Sequence, residues 1–239
     1  MMFLPTPWQP TDRERMNALH DPAAEILALN WPADGCLARS VVTRSRARMT
    51  GMFGSWKMGR MMQWESRNER NSMVLLEACH WVLRYREQPL EIRFRLGGED
   101  HVHFPDTLVE FADTRELWEV KPRKQAADPF VMARTQLMCS QLPKWNLKYR
   151  MVLAEDLARE PRLSLARDLL RFGRTNVDPI TREQVRALFE KVEFVTWRSA
   201  VAGHLGRYGR AALCRLTLEG RLRCDSWGGL VPDTTFRWA

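Results

Sequence analysis

The constraint that most narrows the fold is a conflict inside one short strand. Residues 115–122, RELWEVKP, have the aromatic and branched content of a buried strand, yet Glu119 and Lys121 stand where such a strand would carry Val or Ile. Side chains alternate along an extended chain, so Glu119 and Lys121 share one face while Val120 points the other way, into a core. Upstream, in HFPDTLVEF, Asp106 directly follows Pro105, and proline is tolerated at an edge or bulge where a sheet opens. Asp106 and Glu119 on neighbouring strands of one cleft would repel each other as anions. A hard divalent cation between them makes the arrangement favourable; Mg²⁺ is expected, and Mn²⁺ suits the same oxygen ligands. Lys121 then lies where it can orient a nucleophile and neutralise charge developing on a phosphate, as phosphodiester hydrolysis requires. The bland alternative is a surface Glu119–Lys121 ion pair with Asp106 capping a turn.

The flanking pattern places this strand in an α/β fold. Between Trp64 and Trp81, Met73, Leu76 and His80 recur at helical spacing, with Val74, Leu75 and Ala78 widening the stripe, so one amphipathic helix is expected. VLRYREQPLEIRF then alternates as strand, Gly97-Gly98 supplies a turn before HVHFPDTLVEF, and ADTRE leads into ELWEVKP. A second helix is expected over about 130–141 and a strand over 148–154, giving a mixed central sheet. Within the first helix, Ser66 and Glu69 also fit a capping box. Gln88, in REQPL, reads either as a polar group near the cleft or as a structural amide. His101 and His103 share a strand face without completing a metal site, and are expected beside the cleft or on the outer face.

Residues 1–60 mix Pro, Gly, Ser and basic residues, as in SVVTRSRARMTGMFGSWKMGR, and read as loops and short helices: a basic arm that would suit DNA, or a solvated extension. Beyond Pro179, ITREQVRALFEKV and YGRAALCRLTLEG read as helices, and RLRCDSWGGLVPDTTFRW reads as a hairpin with a Gly-Gly turn. Helices followed by a hairpin outline a winged helix, so the expected organisation is an arm over 1–60, an α/β domain over 61–160 and a winged-helix-like domain over 161–239. In that last domain Arg207, Arg210 and Arg215 lie around an apolar helix face, the pattern of a DNA-recognition helix; docking to protein is the alternative. Lys124, just past the Glu-x-Lys strand, is a further candidate phosphate contact.

Bulk composition agrees with a polyanionic partner. Lys and Arg number 37 against 29 Asp and Glu in 239 residues, spread along the chain. The five cysteines are widely spaced and contain no CxxC pair, so they read as thiols in a reducing compartment rather than a disulfide or zinc framework. No basic leader precedes an apolar run and no stretch is long enough to span a membrane, so a soluble, cytoplasmic protein is expected.

Pro105-Asp106 and Glu119-Val120-Lys121 resemble the signature of the PD-(D/E)xK nuclease superfamily. The longer run WESRNERNSMVLLEACHWVLRYREQPLEIRF, followed by HFPDTLVEF and WEVKP, is similar to the N-terminal catalytic domain of TnsA-type transposon endonucleases over about residues 40–155, and more weakly beyond. The resemblance implies a restriction-endonuclease-like mixed central sheet flanked by helices. It also implies a Mg²⁺-dependent site made of Glu69, Asp106, Glu119 and Lys121, with the three acids as metal ligands and Glu65 as the reserve for Glu69. Thr107, where an aromatic is usual, and Phe104, where tyrosine is usual, depart from the pattern. The activity implied is cleavage of double-stranded DNA at the 5′ ends of a transposon during cut-and-paste movement, beside a TnsB-like DDE transposase and a TnsC-like AAA+ ATPase. A stand-alone nuclease of a restriction, repair or phage system would carry the same site residues, and an idle DNA-binding subunit would not need them.

Overall fold

The computed structural model describes residues 3–16, 19–33, 37–38 and 49–239. The basic run 40–48 and Cys36 therefore lie outside the described residues. The chain divides into two compact units, one comprising Pro5–Met73 and Trp81–Ala158, the other chiefly Val74–His80 and Arg159–Ala239.

The first unit begins with helix α1 (Asp12–Met16) and strand β1 (Glu25–Asn30), then the antiparallel pair β2 (Gly51–Ser55) and β3 (Arg60–Trp64). Strands in this region, expected to be loops and short helices, were missed because their polar and apolar residues do not alternate cleanly. A bulge interrupts β1 between Ile26 and Ala28. Helix α2 (Arg67–Ala78) follows, shorter than the expected span and buried at every position from Ser72 to Cys79, rather than only along one stripe. Then come β4 (Arg84–Glu87), β5 (Glu91–Leu96), β6 (Glu99–His103), β7 (Thr107–Glu110) and β8 (Arg115–Lys121). Gly97 and Gly98, both at positive φ, close the β5–β6 hairpin with the twist that two-residue turns require.

After β8 the chain makes α3 (Arg123–Ala126) and α4 (Pro129–Gln141), whose first turn is capped by the Asp128 carboxylate, then β9 (Lys148–Leu153) and α5 (Ala154–Leu157). One sheet has the order β4-β7-β8-β9, antiparallel except for the parallel β8–β9 pair; a second runs β1-β5-β6. This is the mixed α/β architecture that the sequence pattern implied. Ala133, Leu137 and Met138 of α4 pack with Leu90, Ile92, Phe94, Leu108, Leu117 and Tyr149, so the core holds α4 against the face of β8 from which Leu117 projects.

The second unit holds α6 (Arg162–Gly173), α7 (Pro179–Phe189), β10 (Val195–Thr196), α8 (Trp197–Val201), α9 (Gly209–Leu218), β11 (Leu222–Asp225) and β12 (Thr235–Trp238). Its antiparallel sheet has the order β10-β12-β11. Helix α6 had not been marked in the sequence, although Leu163, Leu165, Ala166, Leu169 and Leu170 give it a buried stripe. The expected Gly-Gly turn is instead a loop over 226–234, tied together by Thr234 Oγ1 bonding to the Gly229 carbonyl at 3.1 Å and by Leu230 N–H bonding to Asp168 Oδ2 at 3.0 Å. Trp197 packs between Phe172 and Phe236, with ring centroids 5.2 and 6.2 Å away.

Helices α6 and α9 come close together at Gly173. A methyl group there would stand 2.6 Å from Leu218 Cδ1 and 3.0 Å from two backbone atoms of α9, which cannot move aside as a side-chain tip can. Gly173→Ala gains helix propensity worth about 1 kcal/mol, but overpacking costs about 1–3 kcal/mol, so the clash should win. The expected result is a melting temperature lower by about 2–8 °C in a thermal denaturation scan; an unchanged or higher value would contradict this packing.

Candidate active site

Strand β8 puts its charged residues where the sequence spacing required. Lys121 Nζ lies 2.8 Å from Glu119 Oε1, so the two side chains share a face, while Val120 is buried on the other. Glu119 is 2% exposed, an extreme burial for a carboxylate, and sits on the same side as Leu117 and helix α4.

Asp106 is joined to this strand by its side chain. Its Oδ2 accepts the Val120 N–H at 2.7 Å, so the carboxylate that follows Pro105 bonds the backbone of the residue between Glu119 and Lys121. The register explains why it can: Thr107 pairs with Trp118, and one step further along the ladder brings Asp106 opposite Glu119. Asp106 keeps some surface area, yet its carboxyl group is enclosed by protein. That enclosure, with the Glu119 charge beside it, raises its pKa well above the usual carboxylate range, and Lys121 only partly opposes the shift.

Glu119 behaves in the opposite way. Burial works to raise its pKa, but the charges of Lys121 and Arg134, joined by His103 only where acid protonates its ring, outweigh burial and hold it below the usual value. Burial also drives His103 down to about 3, so at neutral pH its ring is uncharged and the cations facing Glu119 are Lys121 and Arg134. Arg134 Nη2 stands 3.3 Å from Glu119 Oε1. His103 Nε2 is 3.0 Å from the Tyr149 hydroxyl and 3.6 Å from Glu119 Oε2. His103 is therefore a buried neighbour of the carboxylate, not an outer-face residue. His101 bonds the Leu96 carbonyl at 3.1 Å and packs between Phe94 and Phe130, which leaves it a structural part.

Glu69 realises the capping box read from its spacing. Its Oε2 accepts the Glu65 N–H at 2.9 Å, its Oε1 accepts from Ser66 Oγ at 2.9 Å, and Ser66 Oγ accepts the Glu69 N–H at 3.2 Å. It is nevertheless within the field of the site: burial raises its pKa, while Lys121 pulls it back. Gln88 is also tied to the site. It is 2% exposed, with φ of 42°, and its N–H bonds the Asp106 carbonyl at 3.0 Å. Beside it Glu87, equally buried, takes both Arg60 guanidinium nitrogens at 2.7 Å, anchoring the β2–β3 pair to β4.

The oxygen donors suit a hard divalent cation. Among the described residues no three His, Cys, Asp or Glu side chains form a metal-binding group. Mg²⁺, however, is commonly held by one or two carboxylates, with water and substrate phosphates completing the shell. Asp106 and Glu119 are the carboxylates available for such a shell, and among the described residues Glu119 Oε2 is buried without a hydrogen bond, an acceptor that a cation would satisfy.

The proposed phosphate contacts are less uniform. Lys124, Arg207 and Arg210 are exposed, the last two lying 5.4 Å from the Tyr208 ring and 5.9 Å from the Phe172 ring. Arg215 bonds Glu219 at 2.7 Å and the Gly173 carbonyl at 3.3 Å. It thereby braces α9 within its own unit.

Arg134 escaped the sequence reading. The available signal was an arginine three and four residues before core-facing Leu137 and Met138, a charge inside an apolar helix stripe.

Residues 79–157 match the family described as TnsA-like endonuclease N terminal, a span that includes Asp106, Glu119, Lys121 and Arg134 but not Glu69. No curated protein matches the chain.

The raised Asp106 pKa has a consequence for stability. In the window from the unfolded-state value upward, the folded protein binds a proton that the unfolded chain has released, so stability falls as pH climbs toward the folded pKa. Asp106→Asn keeps an acceptor for Val120 N–H and removes that penalty. It should raise the melting temperature at pH 8 by about 2–4 °C for each kcal/mol relieved, with the gap closing toward pH 4. A lower melting temperature at pH 8 would show that the carboxylate is not disfavoured there.

Proposed function

With residues 79–157 belonging to the TnsA-like endonuclease N-terminal family, we propose that the chain is a Mg²⁺-dependent DNA endonuclease subunit of a heteromeric transposase, cutting at the 5′ ends of a transposon. The observation that carries this reading is the junction of the two motifs: Asp106 Oδ2 on the Val120 N–H, between a buried Glu119 and a Lys121 that pairs with it at 2.8 Å.

Asp106 and Glu119 would hold the cation, which supplies Lewis acidity toward the phosphate when bound. The residues of the chain do the rest. Lys121, 29% exposed at its side chain, stands at the end of β8, where its ammonium can orient water and offset the negative charge gained by the phosphate. The Val120 peptide and the Gln88 N–H fix Asp106 at both its side chain and its backbone, so its carboxyl group is placed before substrate arrives. Glu69 is the proposed third acid, and its capping bonds would have to loosen for it to serve.

Residues 161–239 fit the reading of a winged helix through their order: α7, β10, α8, α9 and then the strands β11 and β12, with the sheet running β10-β12-β11. Helix α9 buries seven residues, Gly209, Ala212, Leu213, Cys214, Leu216, Thr217 and Leu218, and its exposed residue is Arg210, near the N-terminal end. Recognition helices read DNA from that end, which favours Arg207 and Arg210 over the braced Arg215. Double-stranded DNA is the proposed substrate, with a TnsB-like DDE transposase and a TnsC-like AAA+ ATPase as partners. Among the described residues no helix is long and apolar enough to cross a membrane.

The test is cleavage of supercoiled plasmid carrying transposon ends, with Mg²⁺ or Mn²⁺, alone and with a DDE transposase. Metal-dependent nicking is expected, lost by about 10³-fold or more in Asp106→Ala and by at least 10²-fold in Lys121→Ala, with both variants folded by thermal melt. Nicking that persists in Asp106→Ala would place the chemistry elsewhere. Nicking that needs no transposase would favour a stand-alone nuclease.

A further inference from the structure

Arg134 is enclosed without being satisfied. Its side chain is 13% exposed, yet among the described residues its hydrogen bonding consists of one bond, from Nη2 to Glu119 Oε1 at 3.3 Å. Among the described residues Nε is buried with no acceptor. A guanidinium carries five N–H donors in a rigid fork, and burying even one of them unmet is costly unless another acceptor joins it.

The oxygen it touches is already served. Lys121 Nζ stands 2.8 Å from the same Glu119 Oε1, while Oε2 has no hydrogen bond. Two cations on one oxygen help keep the buried carboxylate ionised, but a clamp on Glu119 alone leaves Arg134 Nε and Glu119 Oε2 without hydrogen bonds among the described residues. An incoming phosphodiester explains the cations, because its non-bridging oxygens match the fork of an arginine. A divalent cation explains the bare oxygen. Helix α4 holds Arg134 in place through the core contacts of its neighbours Ala133, Leu137 and Met138, so the guanidinium is presented from a rigid element, not a loop.

We propose, resting on the nuclease reading above, that Arg134 is a further catalytic residue that binds the non-bridging oxygens of the scissile phosphate and stabilises the charge they gain. On substrate binding its bond to Glu119 is exchanged for bonds to the phosphate, and Glu119 is left to Lys121 and the divalent cation.

The rival is a positioning role, in which Arg134 only holds Glu119 in place, and the two differ in metal binding. If Arg134 serves the phosphate, it is no support to the divalent cation in the DNA-free protein, and Arg134→Gln should bind Mn²⁺ at least as tightly as wild type, read from the free-Mn²⁺ electron paramagnetic resonance signal. If it positions Glu119, the same variant should bind Mn²⁺ more weakly.

Wild type, Arg134→Gln, Arg134→Lys and Asp106→Asn are compared for Mn²⁺ binding, thermal stability and plasmid cleavage at saturating Mn²⁺. The expected result is a kcat about 10²–10³-fold lower in Arg134→Gln with Mn²⁺ affinity unchanged or tighter, and a smaller loss in Arg134→Lys, which keeps the charge but not the fork. Weaker Mn²⁺ binding in Arg134→Gln, with activity restored by excess metal, overturns the proposal, as does equal loss in the Lys and Gln variants. Should Arg134→Gln unfold, Arg134→Lys alone decides: unchanged kcat with weaker Mn²⁺ binding overturns it. Cleavage that survives in Asp106→Asn, or is absent from wild type even with the DDE transposase present, removes the nuclease reading itself and the proposal with it. Loss in Asp106→Asn with full activity in Arg134→Gln removes only the proposal.

Discussion

Everything in the first unit is arranged around one buried charge. A carboxylate as enclosed as Glu119 can remain ionised only where other groups meet it, because the desolvation of an unpaired anion would otherwise be relieved by protonation. Strand β8 supplies Lys121, helix α4 supplies Arg134, and β6 brings His103 alongside, so three elements converge on a single residue. Asp106 takes the complementary share. It sits in the same field without enough cationic support and is pushed toward its neutral form. Two acids that are neighbours in the fold are thus driven apart in character by their surroundings, a pattern frequent at functional sites.

What the sequence revealed and what it hid follow from the range of the interactions. The pairing of Glu119 with Lys121 was legible because strand alternation is local and obligatory. So was the capping box at Ser66 and Glu69, whose partners lie within four residues. The mixed sheet was legible from strand spacing and the helix over α4. Arg134 and the burial of His103 were not read, because they depend on α4 and β6 folding back over β8, contacts set by the tertiary core. Strands β1 to β3 were missed for a related reason: sheet partners such as β5 supply their pattern, and a bulge in β1 shifts its register. Helix α6 failed differently, since its apolar stripe is present in the sequence but lies before Pro179, where the winged-helix pattern begins.

The second unit shows how a basic helix can mislead. In α9 the arginines read as one interaction surface, but the fold sorts them by depth: Arg210 and the adjoining Arg207 are exposed, whereas Arg215 is turned to Glu219 and a backbone carbonyl. At Gly173 α6 comes against the backbone of Cys214 and Arg215, which limits what that stretch of α9 can present. Composition gave the charge, and packing decided which part of it faces solvent.

The cap on α2 gives Glu69 a second allegiance. Its two oxygens already close the first turn of the helix on Glu65 and Ser66, so any cation that recruits it as a third ligand must first break those bonds. A helix cap of this kind is worth about 1 kcal/mol, which amounts to roughly a fivefold discount on affinity for the ion. The helix terminus and the cation are thus competitors for one carboxylate, and fraying at Ser66 and tight metal retention become two readings of a single equilibrium.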